Sequence, residues 1–311
     1  MIRRKRILVN DDEKKSFELL DESLRHRNVR LYTKVRIADA LDINNSGLSN
    51  EEYSFALKGH FDFLVEPNDQ PVAFAIEFDE PYHDSDPKAQ HNDELKNLIC
   101  EKLDLPLLRI QIDQLQQVGK FTILGWLVEL WFLYQGFIEA QESGLVPFDE
   151  PFDYSSIITS TDSQGKTEWY PYDPFRHYRD LLTKLVMSDV ASACGSMRIP
   201  SQSGYDECFV NITLSDSGVI IGRARCRTFS FPPLASYELA EELAVRDACI
   251  KYSQYKDDRF KPITLQEAEA LYQSYEKQYS SPLVGFSMSK GGHTNIDDFF
   301  NAHNKGRRAS N

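Results

Sequence analysis

Apolar and polar positions follow two rhythms along residues 1–142, and each rhythm predicts an element. Residues 12–28 set Phe17, Leu20 and Leu24 on one face at helical spacing. Short β-prone runs follow at 29–35, 59–65 and 72–78, the last two joined by the turn cluster Glu66-Pro-Asn-Asp-Gln-Pro71. Residues 88–104 predict a helix with Leu95, Leu98, Ile99 and Leu103 as its stripe. Residues 106–112 then predict a strand, parallel to an earlier one if that helix is a crossover. The run 121–140 is apolar almost all round and predicts a buried helix. A second rhythm spans 174–280, with helices at 174–192 and 235–253 flanking strands at 207–215 and 218–231.

This order predicts an α/β domain over 1–142, an acidic linker over 143–173, a smaller α+β domain over 174–280 and a flexible tail over 281–311. Composition fits a soluble globular chain: 311 residues, 41% hydrophobic and 27% charged, without an apolar run near the roughly 20 residues that span a bilayer. Cys100, Cys194, Cys208, Cys226 and Cys249 show neither CxxC nor zinc-finger spacing, which predicts free thiols in a reducing, cytoplasmic setting and no membrane partner. Lys and Arg number 35 against 48 Asp and Glu, a net charge of −13. That excess argues against non-specific coating of nucleic acid, yet leaves room for an enzyme that meets it at one local site.

The chemistry concentrates in two strands. Asp62 stands between Phe61 and Phe63, so strand alternation sends both rings to one face and the carboxylate to the other. Fifteen residues on, Glu77 and Asp79 share a face opposite Phe74, Ile76 and Phe78. Carboxylates on a central strand need a cation, donors or a proton. If the two strands pair, Asp62, Glu77 and Asp79 converge and suit a hard divalent ion, Mg²⁺ or Mn²⁺. His83 stands where the strand leaves that point, placed to move a proton or bind phosphate. Glu18 on the first helix offers a further carboxylate, and Lys96, one turn from Asp93, offers positive charge.

An Asp, a strand bearing Glu-x-Asp, a nearby His, a charged helix and then Leu-Leu-Arg-Ile resemble the PD-(D/E)XK nuclease superfamily over about residues 15–113. The similarity runs towards the branch of small, uncharacterised bacterial domains related to very-short-patch-repair endonucleases. The resemblance implies a restriction-endonuclease-like core, a mixed sheet flanked by helices, with a metal at Asp62, Glu77 and Asp79. It makes His83 a further site residue and Glu18 a contributor. The family's usual Glu-x-Lys is here Glu77-Phe-Asp79, which leaves the cation's role to Lys96, to Arg109 or to no residue.

In the C-terminal domain, Ala240, Ala244 and Ala248 recur every fourth residue, and the element order is weakly similar to a double-stranded-RNA-binding domain. The lysine cluster such domains carry is replaced by Pro232-Pro233. Arg223, Arg225 and Arg227 alternate along one strand as a basic stripe. In the tail, Ile296 three residues before Phe299-Phe300 is similar to peptides that dock on replication sliding clamps. The sequence therefore predicts a metal-dependent endonuclease acting on DNA, able to work as a homodimer. The alternative is a nuclease-fold protein without catalysis that binds nucleic acid or assembles with protein. GxSxG, HExxH, P-loop and dinucleotide fingerprints do not occur.

Overall fold

The computed structural model describes residues 11–68, 70–79, 86–156, 159–161, 167–169, 172–199, 204–215, 218–278 and 283–289. His83 and the Ile296–Phe299–Phe300 motif lie outside the described residues. The chain divides into two units, one of residues 1–174 and 229–235, the other of 175–228 and 236–311.

The first unit begins with α1 (Asp11–Leu24), whose inward stripe is Glu13, Ser16, Leu20 and Leu24. Then come β1 (Val29–Arg36), α2 (Ile37–Ala40) and α3 (Asn50–Ala56). Ser49 and Glu52 form a capping box that starts α3. β2 (His60–Pro67) and β3 (Phe74–Phe78) are the expected antiparallel pair. α4 (Pro87–Lys102) starts at Asp86, whose side chain accepts from the Lys88 amide, with Pro87 in the first turn. It crosses over to β4 (Leu107–Ile110), parallel to β3. The strands lie side by side in the order β1-β2-β3-β4.

Alternation along β3 sorts the two layers. Ala75 joins Leu64 and Leu107 under Ile99 and Cys100 of α4. The opposite face carries Phe74, which meets Trp131 (5.1 Å between centroids) and Phe231 (5.6 Å). Trp131 belongs to α5 (Ile123–Glu142), reached through the short ladder of β5 (Gln117–Val118) and β6 (Phe121–Thr122). The unit is thus a mixed sheet with helices on both faces, an α/β fold.

One sequence expectation changes here. The segment read as an acidic linker from residue 143 belongs to this unit as far as Pro174. Its aromatic residues cover α5: Phe152 packs edge-on against Tyr134 and Phe137, and Tyr154 against Trp126. A long apolar helix needs such cover, and nearby sequence supplies it. Further along lie the paired β7 (Thr159–Thr161) and β8 (Thr167–Trp169).

In the second unit, α6 (Arg176–Met187) ends earlier than expected, because Asp189 turns the chain with φ +62° into β9 (Ala191–Ile199). β10 (Tyr205–Leu214) and β11 (Gly218–Arg227) follow, then α7 (Ser236–Lys256) and α8 (Leu265–Gln278). β12 (Leu283–Ser289) pairs with β9, so the sheet runs β11-β10-β9-β12, antiparallel throughout. The expected tail from 281 therefore supplies an edge strand over 283–289. The Phe286 amide donates to Ser196 Oγ at 2.9 Å, and Glu241, buried beneath, pairs with Arg198 at 2.6 Å.

The alanine stripe seats α7 on the sheet, with Ala240, Ala244 and Ala248 fully buried. Gly222 on β11 permits this approach, since a Cβ there would lie 2.3 Å from the Ala244 carbonyl oxygen and 2.4 Å from the Ala248 nitrogen. Both obstacles are backbone and cannot swing aside. Gly222→Ala should therefore destabilise this unit by about 1–3 kcal/mol, read as a lower midpoint in urea unfolding of the full chain. An unchanged midpoint would mean that α7 does not sit this closely.

Candidate functional site

Strand register builds the site. Phe63 pairs with Ile76 as the last pair of the β2–β3 ladder, and one residue beyond it the Asp62 amide meets the Glu77 side chain. On the β1 side, Thr33 pairs with Phe63 and Val35 with Phe61, which leaves Lys34 opposite Asp62. On the other side Glu77 is in register with Arg109 of β4. Lys34, Asp62, Glu77 and Arg109 thus form one row across the four strands. The flanking rings of Phe61 and Phe63 are fully buried, which locks the alternation that sets the row's face.

Every carboxylate in the row has a cation. Lys34 Nζ reaches Asp62 Oδ1 at 2.6 Å and Glu13 Oε1 of α1 at 2.7 Å. The other Asp62 oxygen accepts from the Phe78 amide at 2.9 Å, and the Asp62 amide donates to Glu77 Oε1 at 3.3 Å. Lys96 extends from α4 to Glu77 Oε2 at 2.5 Å. Asp79 pairs with Arg109 at 2.6 Å, and the same guanidinium meets Asp93 Oδ1 at 3.3 Å and donates to Asn97 Oδ1 at 3.0 Å. The Arg109 side chain is 1% exposed and that of Asp79 3%. Lys34 holds its place with φ +53° in mid-strand, a left-handed conformation that is unfavourable for a side chain with a Cβ.

Burial dominates the electrostatics. It raises the Glu77 carboxyl from 4.5 to about 8, against the pull of the Lys96 ammonium and with reinforcement from the Asp62 charge. Burial lowers the affinity of Lys34 for its proton, but the Asp62 and Glu13 carboxylates outweigh this and hold it above its ordinary range. The Cys100 thiol beneath Glu77 is pushed up to about 12, chiefly by burial, and is inert at neutral pH. Above the row opens a cleft of about 770 Å³, lined by Glu13, Lys34, Asp62, Glu77, Asp79 and Lys96. Lys58, His60 and Lys88 line it as well.

The structure brings Asp62, Glu77 and Lys96 together. Asp79 lies in the same cleft but is committed to Arg109, so the three expected carboxylates do not gather. Among the described residues no group of three His, Cys, Asp or Glu side chains is placed to hold a metal ion. Glu18 is exposed and pairs with Lys14 at 3.7 Å, away from the row. Glu13, on the buried stripe two turns before Leu20, takes the place expected of it. Sequence reasoning passed over Glu13 and Lys34. The first was detectable, since it continues the Leu20–Leu24 stripe; the second depends on a register set across residues 37–59. In the second unit the arginine stripe is engaged internally: Arg223 pairs with Glu207 at 2.9 Å, and Arg225 and Arg227 lie over the Tyr205 ring.

Two outcomes follow from the buried charges. Arg109→Met strands Asp79 and Asp93 without their guanidinium and should cost about 3–5 kcal/mol, measured by urea unfolding. A carboxyl raised in the folded chain keeps a proton that the unfolded chain has lost. Its contribution is full below the ordinary carboxylate range and is lost as pH rises through about 8. The melting temperature of the wild type, minus that of Glu77→Gln, should therefore fall from about pH 5 to about pH 8 and level off above. A level difference across that window would mean that Glu77 is ionised throughout.

Among the described residues no helix is long and apolar enough to cross a membrane. Residues 5–122 match a family described as a protein of unknown function (DUF2726). The match covers less than half of the chain, but it contains α1 to β6 and every residue of the charged row. No curated protein and no solved structure matches the chain.

Proposed function

We propose that the first unit is a metal-dependent nuclease with a restriction-endonuclease-like core of the PD-(D/E)XK kind, hydrolysing phosphodiester bonds in DNA. The observation that carries this reading is the contact of Asp62 with Glu77 just beyond the β2–β3 ladder, on the lining of a cleft, with Lys96 on Glu77. The order β1-β2-β3-β4, antiparallel except for the parallel β3–β4 pair joined by α4, supports it.

The donor set fits Mg²⁺ or Mn²⁺. Such an ion takes one or two carboxylates and completes its shell with water and substrate phosphate, so Asp62 and Glu77 suffice without Asp79. When bound, the metal supplies a polarised phosphoryl oxygen and an acidified water. Glu77 must give up its proton to serve as a ligand, and the neighbouring Lys96 favours that ionisation. Lys96 also presents an ammonium where negative charge grows on the phosphate. Lys58 and Lys88 line the cleft as cationic groups for the flanking phosphates of the strand, and His60 lines it as well.

One observation favours the alternative, a binding or assembly module without catalysis: Asp62, Glu77 and Asp79 are each already paired with a protein cation. Incubation of the full chain with single- and double-stranded DNA in Mn²⁺ separates the two. The nuclease reading expects cleavage that chelator abolishes, that Asp62→Asn removes, and that Lys96→Met slows by about 10²–10³. Binding without cleavage would favour the module; cleavage that survives Asp62→Asn would overturn the site assignment.

A further inference from the structure

The Lys34 ammonium sits between two carboxylates from different elements, 2.7 Å from Glu13 Oε1 and 2.6 Å from Asp62 Oδ1. Asp62 is fixed from behind, because the Phe78 amide holds Oδ2 and leaves Oδ1 facing Lys34. A compact point charge between two oxygen anions, beside a carboxylate that also faces Glu77, has the arrangement of a second cation next to the first. Lys34 is the one residue of β1 with a positive φ, +53°.

We infer that Lys34 permanently occupies the seat of a second divalent cation between Glu13 and Asp62, and so makes this a one-metal site. The inference rests on the proposed reading that Asp62 and Glu77 hold a metal. Lys34 is on this account a residue that sets metal count, and its removal exposes a second seat formed by Glu13 and the outer oxygen of Asp62.

The test is titration of the full chain with MnCl₂ alone, read by calorimetry and by the electron paramagnetic resonance of free Mn²⁺. The wild type and Lys34→Arg should each bind one ion. Lys34→Gly should bind two, and glycine accepts the left-handed backbone, so the strand is not disturbed. Lys34→Gln, close in shape, is the second variant and should also bind two. Adding Glu13→Gln to either should return the count to one. A wild type that binds two ions overturns the inference with no variant needed. Neutral variants that still bind one overturn it and leave the reading of Asp62 and Glu77 intact. A wild type that binds none, with one ion gained in Lys34→Gly, removes that reading and overturns the one-metal inference with it. No binding by any form at millimolar Mn²⁺ overturns both.

Discussion

Asp62 and Glu77 meet on adjoining strands, and the arrangement of the first unit answers the repulsion between them. Two unit charges about 4 Å apart at an effective dielectric of about 20 would interact by about 4 kcal/mol, and the raised Glu77 carboxyl, which holds its proton up to about pH 8, relieves part of this. The full repulsion is a large share of the roughly 5–15 kcal/mol by which a domain is stable. The compensating cations therefore come from three directions: Lys34 from β1, Lys96 from α4 and Arg109 from β4. Each arrives only if the strand order and the parallel crossover are as they are. An α4 that led to an antiparallel neighbour would not bring Arg109 into register with Glu77.

α4 joins packing to chemistry within a few turns. Ile99 and Cys100 seat the helix against Leu64, Ala75 and Leu107, which fixes its rotation about its axis. One turn earlier on the same face come Lys96 and Asn97, and one turn before those Asp93, so the apolar contact aims the polar side chains. Behind the sheet, Phe74, Trp131 and Phe231 form an aromatic layer with little freedom. A carboxylate pair held between a seated helix and a rigid layer cannot relax by moving apart. The charge must be met in place, by protein cations, a proton on Glu77 or a ligand.

Much of this was legible because strands carry a period of two. Phe61 and Phe63 around Asp62, and Phe74, Ile76 and Phe78 around Glu77, declare by their alternation alone which face each side chain takes. The spacing of Leu95, Ile99 and Leu103 declares α4 in the same way, although Leu98, read into that stripe, is exposed. Lys34 was not legible, since its position opposite Asp62 depends on how residues 37–59 fold into α2 and α3, and no local pattern sets that register. Glu18 and Glu13 show a finer failure. Both lie on α1, but five residues is well off a whole number of turns, so one is exposed and the other buried. β9 and β12 were missed because Ala-Ser-Ala-Cys-Gly-Ser-Met and Leu-Val-Gly-Phe-Ser-Met lack clean alternation. Their strand form comes from partners, Cys194 beside Ile212 on one side and Met288 on the other.

The acid at position 79 becomes intelligible once Arg109 is placed. A lysine at 79 would point to the same face as Glu77 and towards the buried guanidinium, two cations side by side under a helix. Asp79 instead neutralises Arg109, whose fork also gathers Asp93 and Asn97 and so fastens α4 to the strand end. With the strand position taken by an acid, positive charge over Glu77 has to come from above, and Lys96 supplies it from the helix. This arrangement brings the lysine's charge to Glu77 from the helix. It also ties that charge to the seating of α4, so the lysine is in place only when the apolar contact beneath it is formed.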